Sequence, residues 1–291
     1  MAMRDALTES SSLGLSSNLR QALLDEPSEK EEERRYCEET RGISDYADPQ
    51  NPKSIASSGD VYEARAPVLK GLPRRPFYGE LARRLFLPVG EKNCLCLDRF
   101  LPAAELGMEE DQPKALPPPP KIYTSSACAA WIRAAGDPGI LHLLGMRQTV
   151  GTVKGLLPPD CAILLQAARM PRKPHAKPPW LSVAARARAK HAHRGTTDKF
   201  FGVIKGGAEM QNIAAEEIVI RVINEAVWIN CHVFGGVDDL PVLEVRVESG
   251  YGARWSLHRQ DKDSDCDKSE VTFRGFLEPQ MVDGHERHWR H

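Results

Sequence analysis

The sequence predicts an α+β fold, with a C-terminal antiparallel sheet of three to four strands packed on a layer of helices and a disordered N-terminal arm. Three observations predict it. Within residues 241–279, PVLEVRVESGYGARW and VTFRGFLEP alternate apolar and polar side chains, as strands with one covered face do. Residues 121–226 instead carry apolar side chains at three- and four-residue spacing, the period of helices with one buried stripe. Residues 1–60 are rich in Ser, Asp, Glu and Asn and hold the charged run Glu29 to Arg35, so they bury too little apolar surface to offset the entropy of ordering.

The expected organisation is an acidic, Ser-rich arm over 1–60, a partly ordered docking segment over 61–107, a Pro-rich linker over 108–120 and an α+β domain over 121–291. That domain is mainly helical over 121–226 and mainly β over 228–291. Within the arm only Asn18 to Leu24 has the pattern of a short helix, marginal by itself. In the docking segment Tyr78 to Phe86 sets Leu81 and Leu85 on one helical side, and Cys94 to Leu101 is a strand or an ordered loop. Pro117 to Pro120 favour polyproline II, a stiff spacer that can also serve as ligand for an aromatic groove.

Beyond the linker, Ser125 or Ser126 caps a helix running to Arg133 and ended by Gly136, while Asp137 and Pro138 supply the N-cap and first position of a second, ILHLLGMRQ. Pro158, Pro159 and Asp160 open a third, CAILLQAARM. The Pro-broken basic loop Met170 to Trp180 leads into a helix from Leu181 to Arg194 with alanines 185, 189 and 192 on a thin packing face and Arg186, Lys190 and His193 on another; Arg188, His191 and Arg194 broaden the positive side. The longest helix, Glu209 to about Ala226, has a core stripe of Ala214, Ile218, Val222 and Ala226, widened by Ile213, Ile220, Ile223 and Val227. Its continuation VWINCHVF fits either the end of that helix or a strand leading into the sheet. Period two then assigns Leu243, Val245, Val247, Tyr251, Ala253, Trp255, Leu257, Val271, Phe273 and Leu277 to the core face, and Glu244, Arg246, Glu248, Arg254, Ser256, His258, Arg274 and Glu278 to a solvated one.

Composition narrows the function. No stretch has the roughly 18 uncharged apolar residues of a membrane span, and MAMRDALTES carries charge where a signal peptide is apolar, so the expectation is a cytoplasmic or nuclear protein with no membrane partner. Seven scattered cysteines, an odd number, read as free thiols, and Cys94 with Cys96 is too little for zinc. No cofactor motif is present. The formal charge of −1 hides a segregation: −6 over 1–60, +1 over 61–120, +11 over 121–205 and −7 over 206–291. A basic middle flanked by acidic ends points to a polyanionic partner or to pairing between segments.

Arg172, Lys173, Lys177, Arg186, Arg188, Lys190 and Arg194 cluster as phosphate binders need, with Trp180 available to stack on a base. Arg246, Arg254 and Arg274 on the sheet face form a second anion site, beside which Glu278 or His285 can do acid/base work; cross-strand ion pairs explain the same residues. His285, His288 and His291, spaced by three, are weak metal candidates on a terminus that frays. Asp261, Asp263 and Asp265 imitate a calcium loop, but Cys266 stands where Gly is needed and Thr272 where Glu is. The reading that follows is a binding or adaptor protein contacting RNA or another polyanion through the helix at 181–194. Its rivals are a hydrolase or transferase acting on a phosphate or carboxylate at the sheet face, and a protein-interaction module using the acidic arm or the proline run.

Overall fold

The computed structural model describes residues 1–9, 12–26, 70–85, 116–149, 151–153, 155–172, 178–192, 200–233, 240–257 and 271–279. Among them are seven helices, α1 (Ala2–Glu9), α2 (Ser17–Leu24), α3 (Phe77–Leu85), α4 (Ser125–Leu143), α5 (Cys161–Arg169), α6 (Val183–Ala192) and α7 (Ala208–Asn224). Four strands follow, β1 (Ala226–His232), β2 (Val242–Val247), β3 (Gly252–Leu257) and β4 (Val271–Leu277), paired antiparallel in chain order. The fold is α+β, with the sheet at the C-terminal end of the described chain.

Helices α5 and α6 lie against β4, and α7 against β2 and β3. The core face of the sheet meets them through Leu243, Val245, Ala253 and Trp255, and the Trp255 indole donates to the Leu164 carbonyl at 3.1 Å, locking β3 to α5. In α7 the buried residues are Ala215, Ile218, Val219, Val222 and Ile223. The stripe is therefore turned from the expected one, and Ile213 is exposed. Helix α4 breaks at Gly136 (φ 61, ψ −176), the expected boundary between two helices. Thr124, not Ser125, caps it by accepting from the Ala127 amide.

In β4 the period-two pattern breaks. Ser256 pairs with Thr272 and Trp255 with Phe273, but Arg254 pairs with Gly275. Arg274 is the extra residue of a β-bulge, and Gly275 holds φ +148, a value favouring glycine. One inserted residue inverts the faces beyond it. Phe276, not Leu277, accordingly joins the core cluster.

The sheet's other face is buried where the alternation predicted solvent: Glu244 is 2% exposed and Arg246 fully buried. Its charges survive burial by pairing. Arg246 Nε donates to Glu244 Oε1 at 2.6 Å and Arg254 Nε to Oε2 at 2.7 Å, while His232 Nε2 lies 3.4 Å away. Burial opposes ionisation of Glu244, but His232, Arg246 and Arg254 outweigh it and hold the carboxyl well below its usual range.

The N-terminal segments dock on this body. Helix α2 matches the short helix expected at Asn18 to Leu24, and α1 precedes it without a counterpart in the reading of the sequence; Met3, Leu7, Leu19 and Leu23 are buried in the common core. Helix α3 buries Leu81 and Leu85 beside Arg84, whose guanidinium donates to Glu80, to the Leu143 carbonyl and to the Gly71 carbonyl. The proline run is fastened rather than free, because the Trp131 indole donates to the Pro117 carbonyl at 3.0 Å. Cys128, Cys161 and Cys231 are buried, and burial pushes the Cys231 thiol up to about 12. Cys37, Cys94, Cys96 and Cys266, the stretch Cys94 to Leu101 and the aspartate loop at 261–270 lie outside the described residues. No helix among the described residues is long and apolar enough to cross a membrane.

Candidate functional site

Helix α6 forms because alanine costs no side-chain entropy in a helix and because Ser182 caps it, its Oγ accepting from the Ala185 amide at 3.0 Å. Ser182 is itself fixed, its amide donating to Asn212 Oδ1 at 2.8 Å. Ala184, Ala185 and Arg188 form the buried side. Arg186 and Lys190, one turn apart, are exposed. Val183, Ala187 and His191 repeat at four-residue steps and share one stripe.

That stripe borders a cleft of about 710 Å³ between α6 and β4. Four cations line it, Arg172, Arg186, Lys190 and the bulged Arg274. At the same cleft His191 Nδ1 and Glu278 Oε1 stand 2.7 Å apart, their side chains 15% and 19% exposed. The imidazole stacks on Phe201 at 4.9 Å between centroids, and Phe201 packs in turn on Tyr251 and Phe276, so the ring's orientation is set on two sides. A carboxylate on Nδ1 holds the proton there and leaves Nε2 as the basic nitrogen. Glu278 is fixed through its main chain, since Arg246 Nη1 donates to its carbonyl at 3.1 Å and to that of Gly250 at 2.7 Å. The bulge makes the pair possible: it places Glu278 on the helix-facing side with Phe276.

The residues expected to bind a polyanion divide. Arg172, Arg186 and Lys190 line the cleft. Arg188 does not; it is buried, with Nε on the Phe201 carbonyl at 2.8 Å and Nη2 on that of Val203 at 3.0 Å, and it serves to hold the 200–203 turn. Trp180 lines a separate cavity of about 230 Å³ with Ser182 and Asn212. Lys173, Lys177 and Arg194 lie outside the described residues. Of the sheet-face arginines, Arg246 and Arg254 are committed to Glu244, whereas Arg274 is in the cleft. Glu278 meets His191. His285, His288 and His291 lie outside the described residues, and among the described residues no group of three His, Cys, Asp or Glu side chains is placed to hold a metal ion. His191 itself was read only as part of the positive side; its four-residue step from Ala187 and Val183 was the available signal.

Residues 173–278 match the family model of the CdiA C-terminal tRNase toxin domain. The match covers a little over a third of the chain. It takes in α6, α7 and the whole sheet, and with them both His191 and Glu278. No curated protein and no solved structure shows a significant match to the chain.

Proposed function

We propose that this protein is an RNA-cleaving enzyme whose active site is the cleft between α6 and β4, with tRNA as the substrate class. The observation that carries the reading is the His191 and Glu278 pair, 2.7 Å apart, set among four cations at one cleft. The similarity of residues 173–278 to a tRNase toxin domain supports it independently. An adaptor needs no oriented imidazole, and at the rival sheet-face site Arg246 and Arg254 are already paired with Glu244.

His191 Nε2 takes the proton of a ribose 2′-hydroxyl as that oxygen bonds to the adjacent phosphorus. The P–O5′ bond breaks, leaving a 2′,3′-cyclic phosphate on one fragment and a 5′-hydroxyl on the other, whose oxygen takes a proton from water. Glu278 holds the imidazole in the productive tautomer and stabilises the imidazolium that forms. Arg186, Lys190 and Arg274 face the extra negative charge that gathers on the phosphoryl oxygens.

Incubation of the purified chain with tRNA tests this. Fragments ending in a 2′,3′-cyclic phosphate are expected, with a rate lowered by about 10²–10⁴ in His191→Ala and also lowered in Glu278→Gln, both variants keeping the parent circular dichroism. Uncleaved tRNA, or cleavage indifferent to both substitutions, overturns the reading.

A further inference from the structure

The cleft has two chemically different parts. Its cations stand on exposed positions of α6, at Arg172 ahead of that helix and on the bulge of β4, while Leu181, Val183 and Ala187 of the helix side and Phe273 of the strand give it an apolar floor. From Val183 to His191 is about 12 Å along the helix at 1.5 Å per residue, so apolar contact and acid/base groups occupy successive stretches of one groove. A ligand that is only a string of phosphates uses the cations and leaves the floor unfilled. A paired duplex does the same, because its bases are stacked inside and its surface is phosphate and ribose. A nucleotide with its base turned out uses both.

We infer that the floor formed by Leu181, Val183, Ala187 and Phe273 is a subsite for an unpaired nucleobase, which restricts the enzyme to RNA that is single-stranded at the cut. This deepens the proposed cleavage reaction and rests on it for the word enzyme, although base binding is measurable without cleavage. A volume of about 710 Å³ falls in the range of sites that enclose a small ligand, about 300–1,000 Å³, and suits one or two nucleotides rather than a helix. Opening a pair to fill the floor costs unstacking energy that a single strand has already lost.

Three probes separate the possibilities: a single-stranded oligoribonucleotide, the same strand annealed to its complement, and inorganic polyphosphate. The single strand is expected to be cut at least about tenfold faster than the duplex. Ala187→Leu, which fills the floor from a helix position that accepts leucine, is expected to weaken binding of the single strand by about tenfold, within the range of one stacked base, and to leave polyphosphate binding unchanged. Leu181→Ser, which removes apolar surface, is expected to act in the same direction. Equal cutting of duplex and single strand, or losses equal for RNA and polyphosphate, overturns the base subsite while leaving RNA cleavage standing. If neither strand is cut but both variants still discriminate RNA from polyphosphate, the subsite stands and the cleavage reading falls.

Discussion

Arg246 and Glu278 are joined through the main chain, Arg246 Nη1 donating to the Glu278 carbonyl at 3.1 Å, although the arginine points away from the helices and the glutamate side chain opens on the cleft. The same guanidinium neutralises the buried Glu244 at 2.6 Å. Arg246→Met is therefore expected to destabilise the protein by roughly 3–5 kcal/mol, because removing one partner leaves a carboxylate buried with too few counter-charges. Urea denaturation reads this as a lower midpoint. Adding Glu244→Met to the same chain is expected to recover part of the loss, and no recovery would assign the arginine's role to its carbonyl contacts alone.

Salt dependence separates the cations of the cleft from those of the core. RNA binding is expected to weaken linearly with the logarithm of salt concentration, and each of Arg186→Ala and Lys190→Ala to reduce that slope by about 0.7 for a single strand. Arg188→Ala is expected to leave the slope unchanged and to lower the melting temperature instead, since its donors hold the carbonyls of Phe201 and Val203. A titration series at several salt concentrations, with a melt of each variant, checks both halves.

Acid destabilisation follows from two groups in the N-terminal half. Burial lowers His142 from 6.5 to about 3, helped by the charge of Arg147, whose Nη1 lies 3.2 Å from Nδ1. For Glu80, burial opposes ionisation, but the hydrogen bond from Arg83 and the charges of Arg84 and Arg83 outweigh it and bring the carboxyl from 4.5 to about 2. Both folded values lie below the unfolded ones, so through these windows the unfolded chain binds more protons. Stability is full above pH 6.5, declines as the pH falls from there toward 3 through His142, and declines further between 4.5 and 2 through Glu80. Thermal melts across pH are expected to show the upper part of that slope flattened in His142→Gln and the lower part in Glu80→Gln.

Deleting Arg274 tests the bulge. Without the extra residue β4 runs in the register set by Trp255 with Phe273, and Glu278 turns to the face opposite His191. Cleavage is expected to fall at least as far as in Glu278→Gln, with the sheet's circular dichroism retained. Arg274→Ala removes only a cation and is expected to cost less.

Local patterns made much of this legible. The helix break at Gly136 and the helix start after Asp160 are chemistry of adjacent residues, and the basic helix and most of the sheet show in their periods. What stayed hidden depends on neighbours distant in sequence. Alternation carried Glu278 to the wrong face because a period of two has no memory of an inserted residue; Gly275, a glycine inside a strand, was the local sign of a bulge. Glu244 and Arg246 have the letters of a solvated face, and their burial follows from packing that strand periodicity does not encode. Arg188 looked like one more surface cation because the carbonyls it serves, at 201 and 203, belong to a turn beyond the helix.

The separation of His191 from Glu278, 87 residues, orders events in time. Helix α6, with Arg186 and Lys190, is a local structure, whereas the pair closes only after α7 and the strands up to β4 have docked, and contacts of long sequence separation form slowly. A chain that stops before Glu278 never acquires the carboxylate beside the imidazole. In the proposed cleavage reaction, completion of the last strand is thus the step that arms the molecule.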